Sequence, residues 1–103
     1  MKVQVNTDKH IESSARLQNY IDERMSAALK HFDDKLTRLE VHLTDQNGEK
    51  SGADDIQCRI EARPKGLQPV TVTARSSTMD IAISEAADKL KAALTSTFGK
   101  LER

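Results

Sequence analysis

The sequence predicts an α+β fold of order β-α-β-β-β-α: a four-stranded mixed sheet with two helices packed on one face. Three observations predict it. Apolar residues alternate with period two in four short segments, and they recur at helical spacing in two longer ones. A chain of 103 residues has room for one core, so residues 1–103 are expected to form one domain.

The first strand is Lys2-Val3-Gln4-Val5-Asn6, with Val3 and Val5 facing inward. Thr7 to Glu12 reads as a polar link. Ser13-Ser14 offers a hydroxyl to the orphan amides of a first helical turn. Leu17, Ile21, Met25, Ala28 or Leu29, and Phe32 then predict an amphipathic helix from about Ser14 to Phe32. Leu39, Val41 and Leu43 alternate with Glu40, His42 and Thr44 in a second strand. Asp45 to Asp54, with Asn47-Gly48, reads as a loop, long for a hairpin.

Ile56, Cys58, Ile60 and Ala62 mark the third strand, which Pro64-Lys65-Gly66 ends. Val70, Val72 and Ala74 mark the fourth, with Pro69 at its start, where no ladder donor is needed. From Thr78 the period becomes helical. Met79, Ile83, Ala86, Ala87, Leu90, Ala93, Leu94, Phe98 and Leu101 form one stripe, with Ser77 or Thr78 as cap and Gly99 weakening or ending the last turn. The first two strands, joined through a helix, are expected to pair in parallel and the later pairs antiparallel. The open face should then show Lys2, Gln4, Glu40, His42, Arg59, Glu61, Arg63, Thr71, Thr73 and Arg75.

Composition narrows the functions available. Lys plus Arg and Asp plus Glu are 16 each, so no net charge draws the chain to nucleic acid or anionic lipid. Any basic face must be offset by acid elsewhere. One cysteine, Cys58, excludes an intrachain disulfide and a Cys-based zinc site. No run is apolar enough to span a membrane, and the polar, alternating start does not read as a signal peptide. The expected compartment is the reducing cytoplasm.

No catalytic pattern is present. His10, His31 and His42 share no metal-ligand spacing. Cys58 lies on the inward side of its strand, as a small hydrophobe. Counting an EF-hand from Asp45 puts Lys50 where Gly is needed and Ile56 where Glu is needed. There is no phosphate-cradling glycine loop and no Gly-x-Ser-x-Gly elbow. The chain is expected to be no enzyme and to need no cofactor or metal.

Nucleic-acid binding is the more promising class. The open sheet face has no aromatic residue for base stacking. After the first strand, however, the order α-β-β-β-α resembles the double-stranded-RNA-binding fold, which reads shape and phosphates. The second helix carries Lys89, Lys91, Lys100 and Arg103 against Asp80, Glu85, Asp88 and Glu102. Glu85–Lys89 and Asp88–Lys91 have the spacing of supporting helix pairs.

Several ordered motifs carry a family resemblance. His31-Phe32-Asp33 ends the first helix. Met79, Ala82-Ile83 and Asp88-Lys89-Leu90 follow in the second. In order and spacing these resemble the ribosome hibernation promoting factors, also described as ribosome-associated inhibitors or sigma-54 modulation proteins, over almost the whole chain. The resemblance implies a factor that binds the small ribosomal subunit, occupies its messenger and transfer RNA channel and stops translation. It implies RNA contact by basic residues of both helices: Arg24 and Lys89 by match, with Lys91 and Lys100 in the same region. Departures from the pattern are Ala27, Asp80 and Ala92-Ala93-Leu94, where the family has Lys, Tyr and Arg-Gln-Leu, and the uncharged Thr95 to Gly99 in place of a basic tail. They frame a second reading: a regulatory domain of the same fold that has lost the RNA site and binds a protein partner or a second copy of itself.

Overall fold

A computed structural model describes residues 1–46 and 55–101, with Leu101 described by its backbone alone. The elements are β1 (Lys2–Thr7), α1 (Ala15–Ala28), β2 (Leu36–Asp45), β3 (Ile56–Pro64), β4 (Val70–Ser76) and α2 (Met79–Leu101). The sheet order is β1-β2-β3-β4. β1 pairs with β2 in parallel, and the other two pairs are antiparallel. The predicted topology is the observed one. The Asn47-Gly48 turn and most of the expected 45–54 loop lie outside the described residues.

Register explains the core. Val3, Leu39, Ala62 and Val70 align across the four strands, as do Val5, Val41, Ile60 and Val72. Leu43, Cys58 and Ala74 make a third row. These side chains face one way because strand side chains alternate, and they meet Ile21, Met25, Ile83, Leu90 and Leu94 in one apolar cluster. Ile11, expected in a polar link, is also buried there. It anchors the crossover into α1.

Three local features differ from expectation. β2 begins at Leu36, three residues before the expected start, because its pairing shifts between Leu36 and Arg38. The extra residue lets both Leu36 and Leu39 face the core, and Thr37 Oγ1 donates to the Arg63 carbonyl at 2.9 Å.

The α-helix ends at Ala28, and Lys30–Lys35 forms a tighter 3-10 helix where continuous α-helix was expected. That turn sets Phe32 against Phe98 of α2, with ring centroids 5.5 Å apart. Lys35 places its ammonium 5.0 Å from the Phe98 centroid.

α2 runs through Gly99 and does not stop there. Gly99 keeps a helical backbone, and the aromatic stack one residue earlier holds the turn. The positive φ instead falls at Gly66, φ 74°, in the turn that Leu67 closes by donating to the Pro64 carbonyl at 3.3 Å.

The caps follow from the hydroxyls. Ser14 accepts from the Leu17 amide at 3.1 Å and caps α1. Thr78 stands at the start of α2, its carbonyl accepting the Ala82 amide. Its own amide donates to Ser76 Oγ.

Candidate nucleic-acid interface

α1 and α2 run side by side in the same direction. Leu17 lies near Met79, Arg24 near Ser84, and Phe32 near Phe98. This leaves two faces of different character: the outer helical face and the open face of the sheet.

On the helical face, Arg24 bridges the helices. Its Nε donates to Ser84 Oγ at 3.2 Å and its Nη2 lies 3.5 Å from Asp88 Oδ1. Lys91 lies one turn beyond Asp88 on the same stripe, beside a shallow groove of about 480 Å³ lined also by Ala92, Thr95 and Ser96. Lys89 points the other way, about 200° around the helix from Lys91. Its Nζ donates to the Thr73 carbonyl of β4 at 2.8 Å. Lys100 shares that flank three turns on, roughly 16 Å along the axis. The four basic residues singled out from sequence therefore form two pairs, Arg24 with Lys91 and Lys89 with Lys100.

The pairings expected within α2 are replaced by longer-range ones: Asp88 faces Arg24, where Lys91 was expected, and Lys89 holds β4, where Glu85 was expected. Within their described spans the two helices carry equal numbers of acidic and basic side chains.

A second groove, about 370 Å³, opens between the helix starts, lined by Leu17, Tyr20, Met79, Ile83, Asp80 and Arg16 among others. Among the described residues no group of His, Cys, Asp and Glu could hold a metal ion, and no helix is long and apolar enough to cross a membrane.

The open sheet face is built in rows. Lys2, Arg38 and Arg63 align on β1, β2 and β3. The next row holds Gln4, Glu40, Glu61 and Thr71. The one after holds Asn6, His42, Arg59 and Thr73, and Arg75 pairs with Gln57 beyond it. Glu40 and Glu61 sit directly opposite each other. Like charges at such a position repel, and the flanking arginines offset this. Arg38 Nη2 and Arg63 Nε each lie 3.5 Å from Glu40, and Arg63 Nη2 lies 3.4 Å from Glu61. The contact with the Glu61 carboxyl opposite, and the charges of Arg38 and Arg63, hold the Glu40 carboxyl below the usual range against a desolvation cost.

Sequence reasoning named most of this face but not Arg38, because the bulge put the strand start too late. The signal was present: Arg38, Glu40 and His42 continue the outward alternation.

A family model described as "Sigma 54 modulation protein / S30EA ribosomal protein" matches residues 4–102. The chain belongs to this family. The fold is similar to that of solved structures. The N-terminal domain of Thermus thermophilus protein Y superposes with a TM-score of 0.74 at 15% identity, covering 94% of this chain and 99% of that one. A ribosomal subunit interface protein from Coxiella burnetii gives 0.75 at 13% identity, covering 96% and 99%. No curated protein matches the chain by sequence. Family membership supports a ribosome-related role.

Proposed function

We propose that this protein is a ribosome-associated translation inhibitor, or hibernation factor, that binds small-subunit ribosomal RNA through its helices. The observation that carries this reading is the family match across residues 4–102. Lys91 and Lys100 are exposed. Lys89 has ammonium protons to spare beyond its bond to Thr73, since a lysine has three donors. The Arg24 side chain keeps 30% of its surface exposed beyond its contacts with Ser84 and Asp88. Such a factor acts by occupying a site, which needs positioned charge and no reacting group, and it works where ribosomes are, in the cytoplasm.

The test is co-sedimentation of the purified chain with small ribosomal subunits at low and physiological salt. Binding that weakens with salt is the expected result. Absence from the small-subunit fraction at both salts sinks the reading.

A second reading, a protein-binding regulator of the same fold, is favoured by one observation: Asp88 offsets Arg24, so the helical face is electrically balanced. A pulldown that recovers only ribosomal components counts against it.

A further inference from the structure

The positive charge that the helices lack is on the other side of the molecule. Among the described residues, Lys2, Arg38, Arg59, Arg63 and Arg75 share the open sheet face with the acids Glu40 and Glu61. The two carboxylates are taken up by Arg38 and Arg63. Lys2, Arg59 and Arg75 are exposed and make no ion pair among the described residues. Arg75 is steadied by its Nε donating to Gln57 at 3.1 Å. The chain is neutral as a whole, so this local excess is a sorted distribution. Between the strands and α-helices, by contrast, Asp8, Glu12, Asp33, Asp34 and Asp55 stand beside Lys9, Lys30, Lys35 and Lys65, so no comparable excess arises there.

We propose that the open sheet face is a second binding surface, for the phosphate backbone of RNA. The proposal rests on the ribosomal RNA reading above and adds a surface to it. Backbone contact is the mode the side chains fit. The aromatic residues, Tyr20, Phe32 and Phe98, all lie on the helical layer, so the sheet has no platform for bases. Adjacent strands are about 4.8 Å apart, so Lys2, Arg38 and Arg63 set three cations in a row roughly 10 Å wide. Arg59 and Arg75 place guanidinium forks farther along, and such forks suit phosphate oxygens. Arg38 Nε and Arg63 Nε make no hydrogen bond, although Arg63 Nε lies 3.5 Å from Glu40. A factor with cationic groups on both layers can contact two walls of an RNA cleft at once.

The experiment measures binding of the full chain, across a salt series, to purified small subunits and to a short RNA duplex. It compares wild type, Arg59→Gln/Arg75→Gln, Lys91→Gln/Lys100→Gln, and Thr73→Lys. Neutralising Arg59 and Arg75 is expected to lower RNA affinity about tenfold and reduce the salt slope by roughly 1.5. Thr73→Lys, which adds charge beside Arg59, is expected to raise both, and it tests the face even if the double variant folds poorly.

If wild type sediments with small subunits and neither sheet variant changes its slope on either probe, the sheet proposal is overturned and the ribosome reading stands. If the sheet variants alter duplex binding while wild type does not sediment, the reverse holds. If neither probe is bound, both fall. If Arg59→Gln/Arg75→Gln alters only self-association of the free chain, the occupant is a second copy and the RNA proposal is overturned.

Discussion

Arg24 and Asp88 face each other across the two helices, with Nη2 and Oδ1 3.5 Å apart. The pair is asymmetric. Arg24 is mostly covered and tied to Ser84, whereas the Asp88 side chain is 71% exposed. An exposed carboxylate contributes little through such a pair, about 0.5 kcal/mol or less. Its larger effect is to mask Arg24, the arginine among the four basic candidates Arg24, Lys89, Lys91 and Lys100. Asp88→Asn is therefore expected to leave the urea midpoint nearly unchanged. In co-sedimentation it should raise affinity for small subunits several-fold and steepen the salt dependence by about one. Unaltered affinity would mean that Arg24 does not reach phosphate.

The stack of Phe32 on Phe98 joins the 3-10 helix to the last turns of α2, and Lys35 completes it over the ring. Both rings are half-buried. Phe98→Ala is expected to cost about 2–3 kcal/mol, below the full core value because the site is partly open. Of this, about 0.5–1.5 kcal/mol should appear as coupling to Phe32 in a double-mutant cycle by urea denaturation. Additive effects would show that the stack contributes nothing beyond burial.

The fold was legible because each element carries its own period. Val3 and Val5, Leu39 to Leu43, and Ile56 to Ala62 alternate cleanly, and their register follows from sharing one core face. What stayed hidden depended on pairing between distant residues. Nothing local marks Thr37 as a bulge; its extra residue matters only because Leu36 and Leu39 both need the core. The 3-10 turn after Ala28 brings Phe32 onto Phe98, a partner far along the chain that no local signal names. The basic candidates fared likewise. Lys89 and Lys91 look like neighbours in sequence, yet helical rotation sends one to β4 and the other to the exposed stripe of Asp88, Ala92 and Thr95. The cations of the sheet face become a cluster only when the strands are placed side by side.

Acid should loosen the fold at two named points. Asp8 follows β1, and its Oδ1 accepts from the His10 amide at 3.0 Å while its Oδ2 accepts from the Asp45 amide at 2.9 Å. Desolvation raises its pKa, but these backbone amides and the charge of His10 outweigh it and hold the carboxyl below the usual range. Glu40 is held low in the same direction. A carboxyl with a depressed folded pKa gives stability that is fully present above its unfolded value, near pH 4, and is lost as pH falls through the folded value. Stability should be flat from neutrality to about pH 5 and decline below about pH 4. Asp8→Asn and Glu40→Gln should each lower stability at neutral pH and flatten that decline, as followed by urea midpoints across pH. An undiminished acid slope in the double variant would assign the decline to other groups.

Cys58 sits fully buried in the third core row, between Leu43 and Ala74. Burial alone pushes its thiol up to about 12, so almost no thiolate exists at neutral pH. Only the thiolate reacts readily with thiol reagents. Labelling of the native chain is therefore expected to be slower than that of urea-unfolded chain by a factor approaching the folding equilibrium constant, since opening of β3 must precede it. A variant that destabilises the core without touching Cys58, such as Leu90→Ala at about 2–5 kcal/mol, should speed native labelling in proportion to its lost stability. Rapid labelling that ignores Leu90→Ala would show that β3 is reached by a local opening and not by loss of the whole sheet.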